Sequence, residues 1–287
     1  MTIRDLLAAS KPSVSFEVFP PKKDAPFDRV EAVVERLCAA HPSFMSVTYG
    51  AAGLANTNTL AIARHVQDCG VTALAHLTCL TSTRERIQEE LAALRAAGIE
   101  NILALRGDAP ADDAAPRPEC FAHASDLVAV IRDSGGFCIG GACYPECHPE
   151  CAHIVEDIDH LKAKVDAGLD FLTTQMFFDN NVYFHYLARL RTAGVTIPVI
   201  AGVMPVTNGR QIRRICQLSG TYLPPRFRAI VDRFGDDPAS LRAAGIAHAT
   251  GQIVDLIANG VDNVHIYTMN KPDVAGRIVE NLRAILA

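Results

Sequence analysis

Phe137 to Thr174 reads FCIGGACYPECHPECAHIVEDIDHLKAKVDAGLDFLTT, and this stretch decides the fold. It opens on a short apolar run, Phe137–Ala142, and closes on another, Phe171–Thr174. Between them Ile154–Ala167 spaces its apolar residues at the helical period and stops at Gly168, a residue that ends helices because it accepts positive φ without steric cost. Two strands joined through a helix must run parallel, since a short turn can only reverse the chain. The segment is a βαβ unit.

The same rhythm extends in both directions. Candidate strands are Val14–Phe19, Phe44–Tyr49, Thr72–Leu77, Asn101–Leu105, Phe137–Ala142, Phe171–Thr174, Val199–Gly202 and Asn263–Tyr267. Helical spacing recurs over Phe27–Ala40, Thr83–Ala97 and Val182–Ala193, with Gly98 and Gly194 placed as further C-caps. Eight βα units close most economically into an α/β fold of the (β/α)8 or TIM-barrel type, with a doubly wound sheet as the fallback. The gap before the last strand is about twice the others. It holds TYLPPRFRAIVDRF and a long helix from Pro238 to Asn259, so an extra helix is expected between strands 7 and 8. No linker or composition shift divides residues 1–287, which are expected to form one catalytic domain.

Composition narrows the function. Apolar residues at 49% and charged residues at 21% suit a globular chain with a sizeable core. A net charge of −5 offers no basic face for nucleic acid. The N-terminus lacks the unbroken apolar core of a secretory signal, and no run reaches the ~18 apolar residues of a membrane span, so a cytoplasmic protein is expected. Nine scattered cysteines imply free thiols, most of them buried.

The C-terminal ends of barrel strands share one mouth, so chemistry gathers there from distant parts of the chain. Polar residues recur at nearly every strand end: Glu17, Thr48, Tyr49, His76, Arg106, Asp108, Tyr144, Glu146, His148, Gln175, Tyr267 and Asn270. Each has a plainer alternative. Glu17 reads as a salt-bridged core carboxylate, His76 as a satisfied core histidine, Asp108 as a cap or a partner of Arg106, and Tyr49 and Tyr144 as packing residues. Gln175 is harder to explain away, because an amide in FLTTQMFF needs a specific partner. Recurrence favours a shared site.

The string Ser15-Phe16-Glu17-Val18-Phe19-Pro20-Pro21-Lys22 resembles the opening motif of methylenetetrahydrofolate reductases. In register behind it, further blocks are similar to that family: SVTYGA (Ser46–Ala51), AHLTC (Ala75–Cys79), LALRGD (Leu103–Asp108), HASDLV (His123–Val128), YPECHPE (Tyr144–Glu150), LKAKVDAG (Leu161–Gly168), TTQMFFD (Thr173–Asp179), GVMPVTN (Gly202–Asn208) and HIYTMNK (His265–Lys271). The resemblance implies an oxidoreductase of CH–NH donors that reduces methylenetetrahydrofolate to methyltetrahydrofolate. It implies FAD as cofactor and NADH or NADPH as co-substrate, in a ping-pong cycle. It also implies a short bacterial-type chain without a regulatory domain; a homo-oligomer is expected.

By the same resemblance Glu17 is the general acid that opens the folate ring, Asp108 holds the pterin and tunes the flavin, and Gln175 contacts folate and nicotinamide. Flavin contacts carried over are Thr48, Tyr49, Ala51, His76, Arg106, Gly107, Asp108, Ala124, Tyr144, His148, Asp157, His160 and Lys164. Glu17, Asp108, Gln175, Tyr267 and Lys271 are carried over as substrate contacts. Lys271 stands where an arginine is common, and an ammonium cannot make a two-pronged clamp on the folate tail. The loop after Tyr49, Gly50-Ala51-Ala52-Gly53, is less glycine-rich than in many relatives.

Cys143, Cys147 and Cys151, with His148 between them, nominate a zinc or iron–sulfur site, but the spacing fits no standard pattern and no metal is expected. Readings from other classes are a metal-dependent barrel hydrolase or lyase built on His76, Asp108 and His148, and a non-catalytic partner subunit. A flavin-poor folate reductase is a closer variant. The joint presence of Glu17, Asp108 and Gln175 favours a working reductase.

Overall fold

The computed structural model describes residues 1–9, 11–21, 27–49, 56–108 and 120–287. The chain opens on a short helix, α1 (Ile3–Leu7), and then alternates: β1 (Ser13–Val18), α2 (Asp28–Cys38), β2 (Phe44–Val47), α3 (Asn56–Asp68), β3 (Thr72–Thr78), α4 (Arg84–Ala96) and β4 (Asn101–Leu105). It continues with α5 (Ala124–Ser134), β5 (Cys138–Cys143), α6 (Ile154–Asp166), β6 (Phe171–Thr174), α7 (Asn180–Thr192) and β7 (Val199–Val203). Three helices follow, α8 (Gly209–Ser219), α9 (Pro225–Phe234) and α10 (Pro238–Ala258), before β8 (Asn263–Tyr267) and α11 (Pro272–Leu286).

All eight strands are parallel and pair in sequence order. β1 closes the barrel on β8, from Ser13 opposite Asn263 to Glu17 opposite Tyr267. The expected eight-unit barrel is therefore the fold. Gly98, Gly168 and Gly194 have φ of 72°, 121° and 84°, the conformations that a side chain would resist.

The extra helix expected between β7 and β8 is present as α10, from Pro238, and a second added helix, α9, precedes it. Gly220, with φ of 69°, ends α8, and the Pro224–Pro225 pair places a proline in the first turn of α9. Asp237 then caps α10 by accepting from the amides of Ala239 and Ser240. Helix α1 was also unforeseen, being only five residues long.

Strand alternation sorts the core into two shells. Val14, Phe16, Val18, Met45, Val47, Ile102, Ala104, Val264 and Ile266 face outward and pack with the helices. Phe44, Leu74, Leu103, Cys138, Phe171 and Ile200 face inward and fill the N-terminal half of the barrel. Helix α1 plugs that end with Ile3, whose amide donates to Asn101 Oδ1 at 2.8 Å, while Asn101 Nδ2 donates to the Ala73 carbonyl at 3.1 Å. With one end sealed by apolar side chains, the open mouth lies at the other.

All nine cysteines are free, but only Cys38, Cys79, Cys138 and Cys143 are buried, fewer than expected. The remainder sit near helix ends and loops, where packing is incomplete. Among the described residues no helix is long and apolar enough to cross a membrane.

Candidate active site

Ser15 and Glu17 alternate with the outward Phe16 and Val18 and so enter the barrel interior. Near the mouth, Glu17 Oε2 lies 3.8 Å from His76 Nε2; their side chains are 19% and 6% exposed. The separation would suit an ion pair, yet burial raises the Glu17 carboxyl to about 8 and lowers the His76 imidazole to about 3. Between those limits both groups are neutral. At pH 7 Glu17 is mostly a carboxylic acid, and His76 Nε2 has no hydrogen-bond partner among the described residues.

One layer deeper, His265 is held at both ring nitrogens by hydroxyls, Ser15 Oγ at 2.7 Å from Nδ1 and Ser46 Oγ at 3.1 Å from Nε2. Phe44 stacks on it with centroids 5.7 Å apart, and burial brings its pKa down to about 3. Tyr267 packs edge-on to His265 and donates its hydroxyl to the Thr174 carbonyl at 2.5 Å. A Cβ on Gly202 would lie 2.8 Å from the Tyr267 ring, so the glycine leaves room for this phenol. His265, Ser15 and Ser46 were absent from the sequence-derived site. The period-2 step from Tyr267 back to His265 was the signal that could have found them.

The β8–α11 loop clamps the end of β1. Thr268 Oγ1 donates to the Glu17 carbonyl at 2.6 Å. Asn270 Nδ2 donates to the Phe19 carbonyl at 2.9 Å, and Asn270 Oδ1 accepts from the Phe19 amide at 3.1 Å. To reach this position Met269 and Asn270 adopt φ of 52° and 53°, costing about 1 kcal/mol or more for a residue such as Met.

Beside the mouth, a cavity of about 400 Å³ is lined by Arg106, Ala124, Tyr144, His148, Asp157, His160 and Lys164, together with Glu150 and others. Seven of the expected flavin contacts thus come together from β4, α5, β5 and α6. Lys164 Nζ donates to the Ala142 carbonyl at 2.6 Å, and burial lowers its pKa. Asp157 is buried, accepts from the His148 amide at 3.0 Å, and has its pKa raised by that burial. Arg106 presents its guanidinium fork to Glu150, with contacts of 2.6 and 2.5 Å. Tyr144 stands edge-on to His148 at 4.6 Å; burial, then the Asp108 charge, push its phenol up to about 12. A larger cleft of about 760 Å³, lined by Lys11, Val14 and Ser43 among others, lies at the opposite end of the barrel and holds none of the expected residues.

Other expected residues are placed differently. Tyr49 points outward, donating to Glu90 Oε1 at 3.1 Å on α4, and the Thr48 carbonyl accepts from Thr59 Oγ1 at 3.0 Å. Gln175 finds the partner its setting demanded in its own turn, its Oε1 accepting from the Met176 amide at 2.9 Å. Asp108 is exposed just beyond β4, after Gly107 with φ of 86°. Lys271 Nζ donates to Thr207 Oγ1 at the foot of α8. Ala51 lies outside the described residues.

The three cysteines diverge. The Cys143 thiol lies against the Tyr186 phenol, Cys147 Sγ donates to the His148 carbonyl, and Cys151 Sγ is 3.7 Å from His160 Nδ1. Among the described residues no three His, Cys, Asp or Glu side chains are grouped to hold a metal.

A family model described as methylenetetrahydrofolate reductase matches residues 2–283. A probable methylenetetrahydrofolate reductase (NADH) of Oryza sativa subsp. japonica is 34% identical over 298 aligned positions, covering 99% of this chain and 50% of the rice protein. A 5,10-methylenetetrahydrofolate reductase of Pectobacterium carotovorum subsp. carotovorum is 32% identical, covering 94% of this chain and 90% of that protein. The chain thus spans about half the length of the plant relative and most of the bacterial one. Among solved structures, an uncharacterized protein from Clostridium thermocellum that binds two copies of 5-methyl-5,6,7,8-tetrahydrofolic acid superposes with a TM-score of 0.66. It covers 99% of this chain and 100% of its own at 10% identity, a likeness of fold alone.

Proposed function

The chain belongs to the methylenetetrahydrofolate reductase family, and from that premise we propose that it reduces 5,10-methylenetetrahydrofolate to 5-methyltetrahydrofolate with electrons from a reduced nicotinamide by way of a flavin. The observation that carries the reading is a carboxyl group, Glu17, kept protonated at neutral pH in the mouth of the barrel.

The substrate explains why such a group is wanted. Its methylene carbon accepts hydride poorly until the five-membered ring opens to an iminium cation, and opening requires a proton on the departing ring nitrogen. Glu17 is poised to give that proton because its pKa of about 8 leaves it mostly protonated at pH 7 while keeping it a usable donor. Neutral His76 beside it neither neutralises it as a cation would nor takes its proton in advance. Asp108, exposed at the end of β4, can accept hydrogen bonds from the pterin's amino-pyrimidine edge and offset the cationic charge that ring opening creates.

FAD fits the residues of the side cavity. Lys164 is a buried ammonium whose hydrogen-bond acceptor is a neutral carbonyl, a setting that an anion improves. Arg106 already holds a carboxylate, Glu150, in the two-pronged manner that phosphate oxygens also accept. Arg106 and Lys164 would meet the pyrophosphate, Asp157 would accept from ribose hydroxyls, and Tyr144 would offer ring surface. Bound there, the flavin supplies hydride storage between nicotinamide and folate. Ala124, His148 and His160 complete the wall.

The test is Glu17→Gln in flavin-loaded enzyme, with the two half-reactions measured separately. Nicotinamide should bleach the flavin at close to the wild-type rate, while reoxidation by methylenetetrahydrofolate should fall about 10²- to 10⁴-fold, the usual contribution of a general acid. Equal loss in both halves would make Glu17 structural and sink the reading.

A further inference from the structure

Cys38 is the last residue of α2 and Cys69 directly follows α3, so two neighbouring helices each end on a free thiol. Helices of a parallel barrel run against its strands, which places both C-terminal ends at the sealed end, opposite the mouth. There the two cysteines line one hollow of about 370 Å³, walled also by Glu35, His41 and Val71. Cys38 is buried and Cys69 only partly so. Cys38 Sγ donates to Met45 Sδ at 3.5 Å, and the Cys69 thiol also stands within hydrogen-bonding reach of it.

A buried thiol is most often a small apolar filler, and that accounts for Cys38. It does not account for a second, more accessible thiol set against the first. Cys147 and Cys151 are not so arranged: Cys147 Sγ donates to the His148 and Cys151 carbonyls, while Cys151 Sγ faces His160 Nδ1 at 3.7 Å.

We propose that Cys38 and Cys69 form a modification site, a dithiol that a low-molecular-weight disulfide oxidises reversibly to a bond tying α2 to α3. Nothing in this site depends on folate or flavin. Cys69, the more accessible sulfur, attacks the disulfide R–S–S–R as a thiolate; a mixed disulfide forms and one R–S⁻ leaves, taking up a proton. Cys38 Sγ then attacks Cys69 Sγ, its own proton passing to solvent, and the second R–S⁻ leaves and is protonated. Two protein thiols are oxidised, and R–S–S–R is reduced to two R–SH. Burial foremost, and the neighbouring Cys69 next, push the Cys38 thiol up to about 12, which makes it the second sulfur to react and not the first. Closing the gap to the ~2 Å of an S–S bond takes a small shift of Cys69, which lies past the last turn of α3 beside Gly70. The bond closes a ring from residue 38 to residue 69 that holds β2 and α3, and so restricts the unfolded chain.

The experiment treats the folded protein with excess oxidised glutathione, denatures it with an alkylating agent present, counts alkylated thiols by mass and locates any cross-link by peptide mapping. Wild type should lose two of its nine alkylatable thiols, joined as Cys38–Cys69, and dithiothreitol should restore both. Its Tm should rise by about 3–7 °C on oxidation, the range for a disulfide closing a ring of this size in a chain of this length. Cys69→Ser, at a partly exposed position, should show neither change while melting close to reduced wild type. Nine alkylated thiols after treatment, a cross-link that omits Cys38 or Cys69, or glutathione left attached to Cys69 with Cys38 still alkylatable would each overturn the proposal. A rise in Tm that persists in Cys69→Ser would overturn it as well.

Discussion

Glu17 and His76 face each other at 3.8 Å inside the barrel mouth, and neither is charged at neutral pH. Desolvation governs both groups and works in opposite directions, holding the acid protonated and the base unprotonated. A pair that would be an exposed salt bridge on the surface is here an acid poised beside a neutral ring.

The linkage to stability follows from the direction of each shift. The folded pKa of Glu17, about 8, is above its ordinary 4.5, so its favourable contribution is complete below about 4.5 and is lost as pH rises through 8. Glu17→Gln removes that dependence. Thermal unfolding from pH 5 to 9 should show wild type losing ground to Glu17→Gln up to about pH 8 and no further change beyond it. The ceiling is ~5 kcal/mol for a shift of that size. His76 acts at the other extreme, its contribution present above pH 6.5 and lost as pH falls toward 3. Parallel melting curves for the two proteins across this range would show that Glu17 ionises freely.

Lys164 is expected to separate stability from cofactor retention. Its ammonium is buried against the Ala142 carbonyl, and burial lowers its pKa. Replacing it with methionine, which keeps the length and removes the charge, should leave the flavin-free protein as stable or up to about 1 kcal/mol more stable. The same change should weaken flavin binding by tenfold or more, because a charge-assisted bond to phosphate is lost. Flavin affinity by fluorescence quenching and unfolding of the flavin-free form are the two readings. Unchanged affinity would remove Lys164 from the flavin site.

How far the sequence revealed these features depended on parity. β4, β6 and β8 have the bounds their residues predicted, because each is a short apolar run between clear turns. Of the seven cavity residues, Arg106, Tyr144 and His148 were legible as polar groups at strand ends, whereas Ala124, Asp157, His160 and Lys164 were reached through the family resemblance alone. Tyr49 is expected at the mouth from its place at a strand end and from the family resemblance. Counted along β2, Phe44 and Ser46 face the interior and Met45 and Val47 the helices, so Tyr49 belongs with the outward set and meets Glu90. His265 escaped notice for the converse reason. It has the inward parity of Tyr267 but lies deeper, where bulky apolar residues are the norm. The long helix α10 was legible from Pro238 onward, whereas α9 was not separated within TYLPPRFRAIVDRF, because its start depends on where α8 ends.

His265 should therefore be costly to replace. Substitution by phenylalanine keeps the stack on Phe44 but strands the Ser46 hydroxyl in the barrel interior and leaves Ser15 Oγ only its longer bond to the Val264 carbonyl at 3.3 Å. One unpaired buried hydroxyl and one weakened one cost roughly 1–3 kcal/mol together. Adding Ser15→Ala and Ser46→Ala to the same protein should restore part of the loss, since removing both partners is nearly neutral. Chemical denaturation of the single and triple variants measures the difference. A triple variant less stable than His265→Phe alone would mean that the serines have other duties.

Asn270 offers a test of how the position of the acid is maintained. Its side chain bonds both the amide and the carbonyl of Phe19, two residues beyond Glu17, while Thr268 holds the Glu17 carbonyl itself. The backbone at Asn270 is left-handed, with φ of 53°, which asparagine tolerates better than alanine does. Asn270→Ala loses both hydrogen bonds and adds backbone strain, for about 2–3 kcal/mol in total. Asn270→Gly loses the bonds without the strain and should be the more stable of the two by roughly 1 kcal/mol. Both variants free the segment after Glu17, so both should slow folate-dependent flavin reoxidation to a similar degree while leaving reduction by nicotinamide near wild type. Activity that tracked stability instead, with glycine nearly normal and alanine poor, would show that the clamp serves the fold and not the placement of Glu17.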